Sequence, residues 1–443
     1  ARVSRPSQFT VVLIALGAGG MFIALYGLLA RNQARFALSA GIFLLLGSLI
    51  VLKVPALSLR GSMVLRLISG QSAENAAVTD LRWLGFSYIA FRLLSVLIDT
   101  LGIYAQSIDA QSVNDQGTKS KIIHHRWIWR SSRSTLAGMI APASGIVNKQ
   151  NDTFDARSIG TRSGHAHPKL PAEYGPGDFL TYVIFPPALS AGPIDRPEHF
   201  LKELNSPQGH ADVPANFLPG MERIAAGLFK KFILADSLAK MALSPANALQ
   251  LQDGIWAWAA LFFYGFQLYF DFSGYSDIAV GSARLIGIVL PENFRRPYLK
   301  PDIAKFWNNW HITLTQWIRG YVFNPLTRHL RSLKRSRKDP ALPQWLVILI
   351  TQLVTMLLIG LWHGGTLNFA LWGLWHACGL FLHQQYERFT KGWLFELSET
   401  APVLHRLYSV FSTLLTILFV MTGWVWFALP DFDSAIRFFA KLF

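Results

Sequence analysis

The chain has 443 residues, of which 51% are hydrophobic, 13% aromatic and only 15% charged. This composition predicts a membrane protein whose aromatic residues lie in the interfacial belts. At roughly 20 residues per span, the length suits one membrane domain of about ten helices better than two or three soluble domains. The single cysteine, Cys378, excludes an intrachain disulfide and a zinc site built on cysteines.

The net charge of +15 and the pI near 10.0 raise the question of an anionic partner. No basic run is interleaved with stacking aromatic residues, so we exclude nucleic acid. The densest basic cluster, RHLRSLKRSRK at 328–338, lies between two apolar segments. The positive-inside rule predicts a cytoplasmic loop facing anionic lipid, with docking of an acidic partner as the alternative.

The first apolar segment, residues 9–30, exceeds the hydrophobic region of a signal peptide and lacks a convincing cleavage site, so we interpret it as a span. With the later segments it predicts eight to twelve transmembrane helices. The later segments are 36–52, 82–98, 218–243, 255–290, 312–326, 344–361, 366–385 and 405–429.

Two segments do not suit a simple lipid-facing helix. Residues 82–98 carry Arg82 and Arg92, which require an interior or interfacial position. Residues 178–195 contain a Pro-Pro break, tolerated in a bilayer only where neighbouring protein bonds the freed backbone groups. The second segment therefore predicts a broken or re-entrant helix.

A polar stretch at 106–176 has no apolar run long enough to cross a membrane. It predicts an extramembranous insert between N-terminal membrane helices at 1–105 and a membrane core at 177–443. The stretch has two pairs of neighbouring histidines, but neither pair has a carboxylate or third histidine at helical spacing to complete a metal site, so we predict no metal there. Its histidines are His124, His125, His165 and His167.

The second half of the chain contains three long motifs in order: FQLYFDFSGYSDIAVGSARLIGIVLPENFRRPYL (266–299), DIAKFWNNWHITLTQWIRGYVFNPL (302–326) and GLWHGGTLNFALWGLWHA (360–377). These motifs resemble the membrane-bound O-acyltransferase (MBOAT) family. The likeness is greatest to the bacterial branch that contains alginate O-acetylase and the teichoic acid D-alanyl transferase. Upstream segments at 85–99, 185–200 and 227–239 match in the same order, so the resemblance covers roughly 82–428.

The resemblance implies an all-α, multipass fold with additional re-entrant or interfacial helices around a central tunnel. In that fold a histidine serves acyl transfer from a thioester to a hydroxyl. The family's WHG histidine corresponds to His363, and the histidine of its FWxxWH motif corresponds to His311. The stretch at 106–176 is far longer than the connection usual in the family.

His363 also points to catalysis without the family. A histidine at membrane depth costs free energy unless it is used or satisfied. A neutral imidazole suits general-base removal of a hydroxyl proton, and burial disfavours the imidazolium. We expect Gly364 and Gly365 to leave room for a substrate beside the ring. The alternative is a structural histidine that hydrogen-bonds a neighbouring helix.

His311 lies in KFWNNWHITLTQW, which suggests an amphipathic helix. Helical spacing would place Trp307 and Asn308 on the face of His311, with Asn308 orienting the imidazole or an acyl carbonyl. We predict that His311 positions substrate rather than acting as the base; an interfacial histidine is the alternative. The predicted substrate-binding residues are Asn308, Trp307, Trp362 and Gly364.

Other polar residues of the apolar segments are expected to be structural. An unbroken helix would place His376 about 140° from His363, on another face. Asp271 and Asp277 require partners, either an arginine such as Arg284 or Arg295 or a water-lined tunnel. Ser273 has no adjacent base in the sequence, which speaks against a covalent relay.

The expected function is O-acyl transfer in the inner membrane of a bacterium. A short acyl group, most plausibly acetyl, would pass from acetyl-CoA or an acyl carrier protein to an extracytoplasmic polysaccharide, directly or through a periplasmic or extracellular partner. No bound cofactor is expected. The alternatives are D-alanyl transfer to teichoic acid, a transporter, for which no inverted pair of interrupted segments is present, and a scaffold subunit, which would leave both motif histidines without a role.

Overall fold

A computed structural model describes residues 34–68, 70–80, 85–114, 176–205, 213–333 and 342–443. The regular elements within these ranges are helices, and no strand occurs there, in agreement with the predicted all-α class. The predicted span at 9–30, residues 115–175 of the insert with its four histidines, and residues 334–338 of the basic cluster lie outside them. The division into an insert and two membrane regions stays a prediction.

The helices are α1 (Ala34–Lys53), α2 (Pro55–Ile68), α3 (Phe86–Asn114), α4 (Pro176–Ile184), α5 (Pro197–Leu204), α6 (Val213–Leu228), α7 (Asp236–Ala239), α8 (Gly254–Leu285), α9 (Ile303–Trp307), α10 (Ile312–Ile318), α11 (Asn324–Ser332), α12 (Gln344–His363), α13 (Leu367–Thr400), α14 (Pro402–Ala428) and α15 (Phe432–Leu442). Two π-helical stretches, Phe229–Ala235 and Arg319–Phe323, join α6 to α7 and α10 to α11.

Two described helices, α12 and α14, are long and apolar enough to cross a membrane, and α1 with α2 forms a third candidate bent by 100°. The predicted eight to twelve spans are therefore not confirmed. Several predicted segments divide into shorter helices, as 312–326 does into α10, a π-helical stretch and α11. The α8 helix has 32 residues, but it carries Asp271, Asp277 and Arg284, and these side chains lower its hydropathy.

The predicted break in 178–195 is confirmed. Helix α4 ends at Ile184, and a 3₁₀ turn follows at Pro186–Ala188. Arg92 of α3 is buried and donates to the carbonyl oxygens of Tyr182, Val183 and Ala188, at 3.4, 3.3 and 2.6 Å. The guanidinium thus satisfies carbonyl groups that the helix break leaves without helical partners.

Glycines allow the closest helix contacts. A Cβ on Gly227 of α6 would lie 2.6 Å from the carbonyl oxygen of Gly274 of α8, and one on Gly281 would lie 2.7 Å from that of Gly220. In the α12–α13 pair, a Cβ on Gly373 would lie 2.5 Å from the carbonyl oxygen of Met356. Small residues let helix backbones approach closely in membrane proteins. These contacts fix the two helix pairs that flank the motif histidines.

We expect Arg92→Leu to destabilise the chain strongly, because it leaves carbonyl groups buried without donors at about 1–3 kcal/mol each. Arg92→Lys should retain part of the stability, since an ammonium can reach some of the same oxygens. Thermal unfolding of the purified protein measures both. Arg60→Leu is the control, because Arg60 is exposed on α2. Equal melting temperatures for Arg92→Leu and Arg60→Leu would contradict this role.

Candidate active site

His363 is the last residue of α12, and the WHGG turn (residues 362–365) connects this helix to α13. Its ring is half-buried, and no described residue hydrogen-bonds it. Four aromatic rings surround it at centroid distances of 4.5 to 6.3 Å, namely Trp362, Phe427, Trp372 and Phe369. Both ring nitrogens are therefore without hydrogen bonds to the described residues, and the imidazole is surrounded by aromatic rings.

The expectation that glycine provides space beside His363 is wrong. A Cβ on Gly364 would overlap the ring of Phe369, and one on Gly365 would lie 2.9 Å from Val54. The Gly365 N–H also donates to the carbonyl oxygen of Lys53, at 2.9 Å. Both glycines are needed because protein atoms already fill the space. A substrate contact of Gly364 stays a prediction.

Sequence reasoning missed the bend between α1 and α2 as part of this site. Lys53 ends α1, and its Nζ lies 5.4 Å from the ring centroid of Trp362. A cation at this distance from an indole face is attracted by the ring electrons. The N-terminal helices therefore bring a positive charge to the WHGG turn.

His311 adopts a left-handed conformation, with φ 44° and ψ 55°, just before α10. A non-glycine residue in this region is uncommon, and such strain clusters at functional sites. The side chain is only 3% exposed. Burial disfavours the charged imidazolium form of His311, so the ring is neutral.

Asn293 fixes the tautomer of His311. Its Oδ1 lies 3.0 Å from His311 Nδ1 and accepts from the hydroxyl of Thr313 at 2.9 Å, while its Nδ2 donates to Ser276 Oγ at 3.1 Å. Because Oδ1 can only accept, the proton of the neutral ring is on Nδ1. Nε2 therefore carries a lone pair, and it is buried with no hydrogen-bond partner in the part of the chain that the structure describes.

The helical spacing argument for Asn308 is wrong. Helix α9 ends at Trp307 and α10 begins after His311, so no continuous helix aligns these residues. Asn308 is exposed, and its Oδ1 accepts from Arg319 at 2.5 Å. Asn293 makes the orienting contact instead. A signal for it was present in the LPENF segment of the first motif, where an amide follows an apolar run.

The two motif histidines share one aromatic cluster. The ring of Trp362 lies 4.5 Å from that of His363 and 6.3 Å from that of His311, centroid to centroid. Tyr88 and Phe91 of α3 lie 6.2 and 5.5 Å from the same indole. Elements distant in the sequence thus place both imidazoles against one tryptophan, which was a predicted substrate-binding residue.

Trp307 and His376 belong to the same aromatic core and are connected to His363 through Trp372. Trp307 is buried, and its ring lies 5.7 Å from Trp372 and 5.1 Å from His376. His376 is fully buried, with neither ring nitrogen hydrogen-bonded. The angular comparison with His363 does not apply, because the WHGG turn separates their helices. A substrate contact of Trp307 stays a prediction.

The carboxylates of α8 have partners other than those predicted. Asp277 accepts from Arg223 Nε at 2.7 Å and from Lys230 Nζ at 2.6 Å. Asp271 accepts from Lys231 Nζ at 2.5 Å. The expected arginine partner is thus present for Asp277, but it is Arg223 and not Arg284 or Arg295, which were the examples, and Asp271 pairs with a lysine. The close packing of α6 on α8 decides the partners, since it brings cations of α6 and the following π-helical stretch onto the acidic face.

A comparison with known protein families decides the assignment. The model of the MBOAT, membrane-bound O-acyltransferase family, matches residues 83–423. The chain belongs to this family. The match includes both motif histidines and confirms the resemblance derived from the motifs.

Individual relatives in the family come from several bacteria. The chain is 34% identical to the probable alginate O-acetylase AlgI of Azotobacter vinelandii, over 60% of this chain and 48% of that protein. It is 31% identical to the peptidoglycan O-acetyltransferase of Helicobacter pylori, over 59% and 45%. For the teichoic acid D-alanyltransferase of Streptococcus thermophilus the identity is 32%, over 49% and 52%. The chain spans about half the length of the curated relatives it matches.

Asn293→Leu should lower turnover by roughly two orders of magnitude, the cost of misplacing a positioning group by about 1 Å, while the donor KM changes little. The substitution removes the acceptor that holds His311 in one tautomer. Rates of thiol release and ester formation by purified protein measure the effect. Asn309→Leu is the matched control, because the Asn309 amide donates only to an exposed helix-end carbonyl at Lys305. Equal rates for the two variants would remove Asn293 from the site.

Proposed function

We propose that the chain is a membrane-embedded O-acyltransferase that moves an acetyl group from a cytoplasmic thioester to hydroxyls of an extracytoplasmic polysaccharide, directly or through a partner protein. The observation that carries this proposal is the shared cluster in which Trp362 contacts both His311 and His363. Acyl transfer to an alcohol needs a base at the hydroxyl and groups that position the carbonyl.

His363 is the better base of the two. Its ring is half-buried and free of protein hydrogen bonds, so an acceptor hydroxyl can reach it. The hydroxyl oxygen attacks the thioester carbonyl carbon as His363 takes its proton. The C–S bond then breaks and the proton passes to the leaving thiolate, so that one ester and one thiol form. His311, buried and held by Asn293, positions the reacting groups.

The relatives favour acetyl over D-alanyl. Matches to the alginate and peptidoglycan O-acetyltransferases cover 60% and 59% of this chain, whereas the match to the D-alanyltransferase covers 49%. Acetyl-CoA and an acetylated carrier protein are the candidate donors. The bacterial relatives support an inner-membrane location with several spans, and the central tunnel implied by the family remains a prediction. A transporter or a scaffold would leave the oriented lone pair of His311 without a use.

His363→Ala should abolish ester formation while the protein still inserts and purifies. General-base catalysis typically contributes about 10²–10⁴-fold, so activity within about tenfold of wild type would contradict the base role. The assay combines purified protein in nanodiscs, a thioester donor and the polysaccharide acceptor, and measures thiol and ester. His405→Ala is the control, because His405 lies near the start of α14, away from both motifs.

His311→Ala should lower turnover markedly but leave measurable activity. The double substitution of His311 and His363 should be little worse than His363→Ala alone, because residues that act as one unit are not additive. Steady-state rates for both single variants and the double variant form the cycle. Full activity in His311→Ala would exclude it from the site, and losses that multiply in the double variant would show two independent roles.

A further inference from the structure

A cavity of about 190 Å³ is lined by residues of α6, of α8 and of the segment that follows α8. At about 30 Å³ for each water, it has room for roughly six waters or one small polar molecule. The Asn293 side chain lines the cavity and also bonds His311 Nδ1. Asn293 is therefore part of both the cavity wall and the proposed active site.

The charges that line the cavity balance one another. Arg223 donates to both carboxylate oxygens of Glu292, at 2.8 and 2.6 Å, and to Asp277 at 2.7 Å. Lys230 donates to the other oxygen of Asp277 at 2.6 Å. Two cations and two carboxylates thus neutralise each other, and an anionic ligand would meet as much repulsion as attraction. A hydroxyl group suits this lining, since it can accept from the cations and donate to the carboxylates.

Further lining groups point to a ring with hydroxyls. Ser273 Oγ is buried and has no hydrogen-bond partner of good geometry among the described residues, although a buried hydroxyl normally has one. Tyr269 and Phe294 line the same space with aromatic rings. Small-molecule sites combine apolar and aromatic walls with a few placed polar groups that fix the orientation. An aromatic face covers the C–H side of a sugar ring, while its hydroxyls meet the charged groups.

We propose that this cavity binds one neutral sugar ring of the acceptor polymer. The inference rests on the proposed acyl transfer to a polysaccharide. Binding here would hold the acceptor polymer against Asn293, the residue that orients His311. The pantetheine arm of a thioester is also neutral and polar, but it is an open chain without the ring face that Tyr269 and Phe294 would cover.

Ala226 offers a substitution that blocks the cavity without disturbing an ion pair. This alanine lines the cavity from α6, yet it is exposed, so a larger side chain has room to form. Ala225 is its exposed neighbour on the same helix and does not belong to the lining. Ala226→Phe and Ala225→Phe therefore add the same ring to the same helix on different faces.

The test uses the full chain in nanodiscs with methyl β-D-glucopyranoside as neutral probe and methyl β-D-glucuronide as anionic probe. Saturation-transfer NMR should show glucoside binding to wild type and to Ala225→Phe, and binding about tenfold weaker to Ala226→Phe. The glucuronide should bind more weakly than the glucoside to wild type. Ser273→Val, which removes the unpartnered hydroxyl, should weaken glucoside binding in the same direction and serves if Ala226→Phe does not fold.

The proposal would be overturned if wild type gave no glucoside signal, or if the two phenylalanine variants gave equal glucoside signals. It would also be overturned if Ala226→Phe weakened the binding of a pantetheine thioester but left glucoside binding unchanged. That result would assign the cavity to the donor. The proposed function is tested separately by enzyme activity. It fails if the wild-type protein releases no more thiol from the thioester than His363→Ala does.

Discussion

The ion-pair bridge between α6 and α8 is the constraint on which the centre of the molecule depends. Asp277 is held by Arg223 and Lys230, and its side chain is only 8% exposed. Removing one member of such a bridge would leave an uncompensated buried charge, which is strongly destabilising. The glycine contacts of the same two helices bring the charges within reach. The ion pairs therefore depend on the close packing of α6 against α8, and this packing is stable only while the buried charges stay paired.

A series of polar contacts connects this ion-pair bridge to the histidines. Asn293 follows Glu292, the second partner of Arg223, so the ion pair anchors the segment that carries the orienting amide. The amide then fixes His311, and the aromatic cluster around Trp362 connects His311 to His363. The ion pairs and the Asn293 amide find their partners within the protein, as a low-dielectric surrounding demands of polar groups. Among the described residues, His311 Nε2 and Trp362 Nε1 stay buried without a hydrogen-bond partner.

Sequence reasoning succeeded where a single residue type determines the outcome. The Pro-Pro break and the interior position of Arg92 followed from backbone chemistry and from the cost of a charge in lipid. The motif histidines were identified because their neighbours are distinctive. It failed where an assumed regular helix was interrupted, as at His311, whose left-handed backbone has no signal in a helical periodicity. The partners of Asp271 and Asp277 were also missed, because tertiary packing chooses among several arginines and lysines.

The hydrogen bond from Gly365 to Lys53 has an evolutionary consequence. The family match begins at residue 83, yet the bend between α1 and α2 supports the WHGG turn from outside that region. Its contact is made by a backbone carbonyl, which every residue type supplies. Substitution can therefore erase sequence similarity in these N-terminal helices while the support persists. The region of detectable sequence similarity is therefore shorter than the set of elements that packs around the WHGG turn.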